Sequence, residues 1–294
     1  MVINQGMDRL VAQVIALLHE RLPADEARSV AEFASQYFAG YASEDIMSRE
    51  VSEICAAVMG SWAFIQRHDR LSPKVRVFNP DYQKHGWQLG RTVIAVLARN
   101  TPFITESIRG ELNRRNIVIH TLHGTIFPVI RDGQHQLTEL LPSRTVMKAP
   151  EGSHLGDEVL LYLEIGRCTD KEELAEITAN LSCILDEVFL VVDDFDAMTA
   201  CAKLAISDAK NLPSKQSAIN DDVPEFIQWM IDGHFTFLGY EKLQVDYSGA
   251  EPEVSRVEGS ALGLLRHRPS LGSTDVLNSI KSATTPEALM ERSM

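Results

Sequence analysis

The 17 glycines of this 294-residue chain never stand two positions apart. No G-x-G-x-x-G loop is therefore present to approach a dinucleotide pyrophosphate, and the G-x-x-x-x-G-K-[ST] and G-x-S-x-G patterns are missing as well. Within these residues this argues against a P-loop, a common dinucleotide fingerprint and a nucleophile elbow. Cysteine is scarce too. Cys55, Cys168, Cys183 and Cys201 show no C-x-x-C spacing, and each lies in or beside an apolar run. They read as buried thiols in a reducing compartment. No apolar run approaches the roughly 20 residues of a membrane span. Leu10 to Leu22 is no secretory signal, because Gln13, His19, Glu20 and Arg21 interrupt it and no small-residue cleavage site comes after it. The expectation is a cytoplasmic protein with no membrane partner. Positive charge is in deficit: 28 Lys and Arg against 41 Asp and Glu give a net charge of −13. That argues against a broad nucleic-acid interface and leaves room for a local basic patch.

What is present is ordinary for a soluble globular chain: 45% hydrophobic and 23% charged residues, in a length suited to two or three domains. Residues 7–70 carry helical periodicity. Leu10, Val11, Val14, Leu17, Leu18 and Leu22 share one face. After a break at Pro23, Ala27, Val30, Ala31, Ala34 and Phe38 share a second, with Gly40 placed to end it. Met47, Val51, Ile54, Cys55, Val58, Met59, Trp62 and Ile65 form a third. Three such stripes can bury against one another or against the downstream part of the chain. Residues 67–73 (RHDRLSP) read as a linker.

The pattern then changes. Lys74–Phe78 is a short strand and Asn79-Pro80-Asp81 a turn. Thr92–Ala98 reads as strand, Phe103–Asn116 as helix, and the run from Ile117 as strand, with Gly124 marking a bulge or bend. Residues 133–156 read as a long loop and Glu158–Ile165 as strand. A helix starts at Asp170, its expected N-cap, with Leu174, Ile177, Leu181, Ile184 and Leu185 on one face. Glu187–Val192 is too short for periodicity to settle; its Val and Phe content favours strand. The resulting order over residues 91–193 is βαββαβ, the ferredoxin-like split βαβ arrangement. Beyond it, residues 195–210 read as helix, with a break at Leu212–Lys215. A short helix at Val223–Ile231 ends at Asp232-Gly233. Phe235–Gln244 reads as a strand interrupted by Gly239, and Thr274–Ile280 as a further helix. Pro286–Met294 has no capping pattern, so the chain is expected to stop short of a natural domain end. The fold class is α+β: a helical N-terminal segment (1–72), a ferredoxin-like domain (73–199) and a further α+β segment (200–294).

Chemistry-bearing residues are few. His120 and His123 with His85 and His135 do not make a metal set without another near ligand. Asp193, Asp194 and Asp196 lack calcium-loop spacing and read as a solvated corner. Lys74, Arg76, Arg91 and Arg99 surround the turn Asn100-Thr101-Pro102-Phe103-Ile104; they either pair an anionic ligand or line a solvated sheet edge. In that turn Thr101 suits an N-cap and Pro102 the first helical position. The helix start leaves free N–H groups and a partial positive charge, so the turn either binds a carboxylate or only joins strand to helix.

This turn resembles that of an ACT domain, the ferredoxin-like amino-acid-binding regulatory module, whose turn reads Asp-x-Pro-Gly-x-Leu. Here Asn100 replaces the Asp and Phe103 the Gly. A wider set of segments is similar to the N-terminal part of the large bacterial NAD-specific glutamate dehydrogenases. It comprises Arg76–Pro80 (RVFNP), His85–Trp87 (HGW), the Thr-Pro-Phe turn, Phe127–Asp132 (FPVIRD), Val192–Met198 (VDDFDAM), Asp232–Tyr240 (DGHFTFLGY) and Leu262–Leu265 (LGLL), in family order. The resemblance implies a non-catalytic regulatory and oligomerisation segment, with no catalytic residue, metal or cofactor in this chain. NAD, the catalytic lysine and the conversion of L-glutamate to 2-oxoglutarate would belong to the whole enzyme. It implies as partners an amino-acid effector at Asn100–Ile104, the catalytic domain and further copies of the subunit. A free-standing amino-acid sensor is the alternative.

Overall fold

A computed structural model of the chain describes residues 2–39, 46, 49–142, 149–210, 217–246, 248 and 253–267. The expectations for Gly40, Met47, Leu212–Lys215, Thr274–Ile280 and Pro286–Met294 lie outside the described residues. The chain forms two compact units, residues 1–186 and 187–294.

The first unit opens with α1 (Val2–Arg21), α2 (Ala24–Phe38) and α3 (Val51–Ile65). Then come β1 (Lys74–Phe78), a one-turn helix at Tyr82–His85, β2 (Thr92–Arg99), α4 (Ile104–Arg114), β3 (Ile119–Arg131), β4 (Leu137–Leu140), β5 (His154–Ile165) and α5 (Lys171–Asp193). The sheet runs β1-β2-β5-β3-β4 with antiparallel pairs throughout. Within it, β2-α4-β3-β5-α5 keeps the order read from the sequence. The ferredoxin-like sheet has one difference from that reading: residues 187–192 are helical, the last turns of α5. The edge position beside β2 is taken by β1, in register Lys74↔Leu97 to Phe78↔Val93. The physical reason lies in α5. Ile177, Leu181, Leu185 and Phe189 are buried at i, i+4 spacing, and no Gly or Pro interrupts the helix before Asp193. The sheet edge is already paired, so the β-branched content of 187–192 has no strand to join.

Alternation along the strands sorts the two faces. Leu97, Phe127, Val129 and Leu160 share a core with Val14, Leu18, Val30, Phe33, Val58 and Ile65 of the N-terminal helices. The Phe33 ring sits 5.3 Å from Phe127 and 5.5 Å from both Tyr37 and Trp62. On the other face, Ile94, Val96, Ala98, Leu161 and Leu163 are buried, as are the stripes Ile104-Ile108-Leu112 of α4 and Ile177-Leu181-Leu185 of α5. α4 connects β2 to β3, which run parallel with β5 between them, and such a crossover is right-handed as a rule; α5 comes after β5 with no further described strand of this sheet. The Asp170 N-cap forms as expected, its Oδ1 accepting from Glu172 N at 3.0 Å.

Other sequence expectations shift. The segment 133–156 contains β4, paired to β3, rather than one long loop. Gly124 lies in regular register opposite Leu161, and the irregularities fall at Ile119/Thr121 and Ile130/Arg131. Its role is close approach: a Cβ there would stand 2.7 Å from Leu161 Cδ2.

In the second unit, α6 (Phe195–Lys210) and α7 (Ser217–Trp229) are succeeded by a π-type turn, Met230–His234. Gly233, at φ 93°, breaks the helical geometry inside that turn. The run 235–244 divides between two small sheets, β6 (Gly239–Tyr240) paired with β9 (Leu262–Gly263) and β7 (Leu243–Asp246) paired with β8 (Glu253–Arg256).

Candidate functional site

The turn between β2 and α4 is tied at its start, where Asn100 N donates to Asp157 O at 2.9 Å. Ile104 is buried, Thr101 half-buried and Pro102 exposed. The helix begins later than the sequence implies. Its N-cap is Phe103, no side chain caps it, and Ser107 N donates to Phe103 O. Thr101 and Pro102 therefore lie ahead of the helix, in the turn. Phe103 has φ 71°, and its side chain is 48% exposed. This residue, at the ACT glycine position, adopts the left-handed conformation that glycine takes freely and an L side chain takes at a cost of about 1–2 kcal/mol. The first amides of α4 lack intrahelical acceptors, and Glu106 stands in its first turn. The basic residues named with the turn go to separate places. Lys74 Nζ donates to Phe64 O at 2.6 Å, Arg91 pairs with Glu164 at 3.0 Å, and Arg76 lies over the Phe78 ring.

Two buried carboxylates organise the face of the sheet under the N-terminal helices. Glu158 receives both Nε and Nη2 of Arg131 at 2.7 Å, and both residues are about 1% exposed. Arg131 also donates to the carbonyls of Ile65, Gln66 and His135, which joins the end of α3 to β3 and β5. His68 Nδ1 lies 3.3 Å from Glu158, and its Nε2 donates to Ser72 O. Arg70 Nη1 is 3.9 Å from Glu158. His68 and Arg70 thus tie the segment 67–73 to this buried cluster, while Asp69, Leu71 and Ser72 stay exposed. Burial alone would raise the Glu158 carboxyl, but Arg131 and His68 outweigh it and hold its pKa below the usual value. Glu164, fully buried, takes Arg49 and Arg91 and accepts from Tyr162 Oη. These arrangements are structural: each charge is met by a partner inside the fold.

A cavity of about 510 Å³ opens between α1, α3 and the β1 side of the sheet. Leu18, Leu22, Met59, Phe64, Val93 and Trp87 form much of its wall. Among the described residues its charged or titratable lining is Arg21, Arg76, Lys84 and His85, together with Cys55 and Tyr162, with no Asp or Glu. The segments 76–80 and 85–87 converge here. The Phe78 ring has the Arg76 guanidinium 4.1 Å from its centroid and the His85 ring at 4.9 Å. Asp81 caps the turn Tyr82–His85, and Gly86 at φ 75° ends it, which sets Trp87 into the wall.

In the second unit Asp194, read from sequence as part of a solvated corner, is 7% exposed. It accepts from Gly263 N at 2.7 Å and from both Nε and Nη2 of Arg266. Hydrogen bonding from Arg266, opposed by burial and aided by Gly263, holds its carboxyl below the usual range. Gly263 (φ 58°, ψ −137°) lies where a Cβ would meet Leu238 O at 2.4 Å. Of the histidines, His120 is exposed, while His123 is buried and bonded through Nε2 to Tyr37 O. Among the described residues no group of three or more His, Cys, Asp or Glu is placed to hold a metal. The cysteines are all free thiols: Cys55 and Cys168 are buried as expected, but Cys183 is exposed and Cys201 half-buried. No helix among the described residues is long and apolar enough to cross a membrane.

Residues 33–181 match the family model described as the glutamate dehydrogenase ACT1 domain. Among curated proteins, the chain is 38% identical over 260 residues to an NAD-specific glutamate dehydrogenase of Halomonas elongata, covering 87% of this chain and 16% of that protein. It is 35% identical over 255 residues to the NAD-specific glutamate dehydrogenase of Pseudomonas aeruginosa, covering 86% and 15%. A Mycobacterium tuberculosis protein of the same name is 29% identical over 179 residues, covering 60% and 10%. The chain thus spans about one sixth or less of the length of these relatives.

Proposed function

We propose, for a chain that belongs to the glutamate dehydrogenase ACT1 family, a non-catalytic part in a much longer NAD-specific glutamate dehydrogenase: regulation and subunit assembly. The observation that carries this is the match of nearly the whole chain to a small fraction of two such dehydrogenases. The buried carboxylates add support, because Glu158 and Glu164 are consumed by internal arginines. The whole enzyme would be cytoplasmic and convert L-glutamate, NAD and water to 2-oxoglutarate, ammonium and NADH. NAD and the reacting lysine would sit on its other domains.

In this reading residues 1–72 form a helical cover, 73–199 the ACT-like domain, and 200–294 the start of a second α+β domain. An amino-acid effector would bind at Asn100–Ile104, its carboxylate at the free amides of α4, where two such domains meet. Copies would associate through the exposed edges β1 and β4. The test is direct. The purified chain, given L-glutamate and NAD, should show no absorbance rise at 340 nm. Measurable turnover would overturn the non-catalytic reading. Calorimetry against the twenty amino acids separates sensing from pure assembly, with Thr101→Ala and Phe103→Gly variants locating any site. Light scattering at two concentrations checks self-association.

A further inference from the structure

We propose that the cavity between α1, α3 and the β1 side of the sheet binds an apolar monocarboxylate of medium chain length, with its carboxylate on Arg76. This binding does not depend on whether the chain regulates a dehydrogenase. The cavity, about 510 Å³, has the size of a small-molecule site, which typically spans about 300–1,000 Å³. Its walls are apolar, so a hydrocarbon body is what they would remove from water.

Charge decides the other end. The chain carries 41 acidic against 28 basic residues, yet among the described residues this lining has Arg21, Arg76, Lys84 and His85 and no carboxylate. Arg76 is the telling member. Several guanidiniums of this sheet face are paired: Arg49 and Arg91 with Glu164, and Arg131 with Glu158. Among the described residues Arg76 has no such partner; it is half-buried and lies over the Phe78 ring. Burial lowers its pKa with no neighbouring anion to oppose the shift. A half-buried guanidinium that lies over an aromatic ring and lines an apolar cavity is suited to a two-point grip on a carboxylate. The lack of any Asp or Glu among the described lining residues also separates ligand classes. A free amino acid would bring an ammonium with no anionic partner, whereas a plain carboxylate brings only the charge that this site complements.

The test is calorimetry on the 294-residue chain with hexanoate, octanoate and decanoate, and with octan-1-ol and octylammonium as controls of equal length. Octanoate should bind one to one. Affinity should rise about three- to fourfold per methylene along the series until the cavity is full. The alcohol should bind at least about tenfold more weakly, and the ammonium not at all. Arg76→Gln should lower octanoate affinity about tenfold or more. Gly60→Leu places a side chain at the cavity wall, where a Cβ meets nothing within 4 Å. It should weaken every member of the series while raising helix propensity. Absence of octanoate binding, equal binding of octanol, or unchanged binding in both variants would each overturn the proposal. Should Arg76→Gln fail to fold, the alcohol comparison and Gly60→Leu decide it without that variant.

Discussion

Replacing Glu158 by Gln should be among the costliest single-atom changes in the first unit. Arg131 is about 1% exposed and directs Nε and Nη2 at the two Glu158 oxygens, both at 2.7 Å. An amide of the same shape keeps one acceptor, removes the negative charge and turns an N–H donor toward the guanidinium. The arginine then stays buried with its charge uncompensated. Breaking a buried pair from one side costs about 3–5 kcal/mol, a large share of a domain stability of about 5–15 kcal/mol. Urea unfolding of the chain at pH 7, monitored by circular dichroism, measures it. A loss below about 1 kcal/mol would refute the view that this pair carries its charge without water. The double replacement Arg131→Met with Glu158→Leu should lose less than the sum of its single changes, because neither charge is then stranded. The pH dependence has a definite sign. The folded Glu158 pKa lies below the usual value of 4.5. Its contribution is therefore complete above the unfolded pKa and fades as the pH falls through the folded one. The gap between wild type and Glu158→Gln should be constant near neutrality and shrink only in acid, below about pH 4.5.

Three further outcomes rest on single positions. Phe103→Gly should be more stable than Phe103→Val by about 1–2 kcal/mol in thermal unfolding, because φ is 71° there and a β-branched residue resists it most. Gly263→Ala should destabilise the second unit by about 2 kcal/mol or more, since its backbone region is glycine-only and the new methyl would meet Leu238 O; proteolysis of the 187–267 region reads this out. A maleimide should label Cys183 in the native chain and leave Cys55 intact until unfolding, as Cys183 is exposed and burial pushes the Cys55 thiol up.

Much of the fold is legible along the chain because its elements are strongly periodic. The N-terminal stripes, β2, the α4 stripe Ile104-Ile108-Leu112 and the Asp170 cap each rest on neighbours within a few residues. Residues 187–192 read as strand only because the run is short: Val and Phe favour both a strand and the buried face of a helix. What decides is that β1 already fills the edge beside β2. The candidate site shows the same division. The positive φ at Phe103 is invisible in composition, since a phenylalanine there gives no sign of the conformation that its turn imposes. Asp194 reads as one of three solvated acids until Arg266 and the Gly263 amide, some 70 positions away, close on it.

Local periodicity and short segments in constant order are enough to establish most of the helices and strands, their succession and the family. They carry no information on which charges are spent inside the fold and which stay available. Arg76 and Arg131 look alike along the chain. Folding sets Arg131 against Glu158 and leaves Arg76 over a phenyl ring at a cavity whose described lining holds no acid, and that difference arises from contacts between residues far apart in sequence.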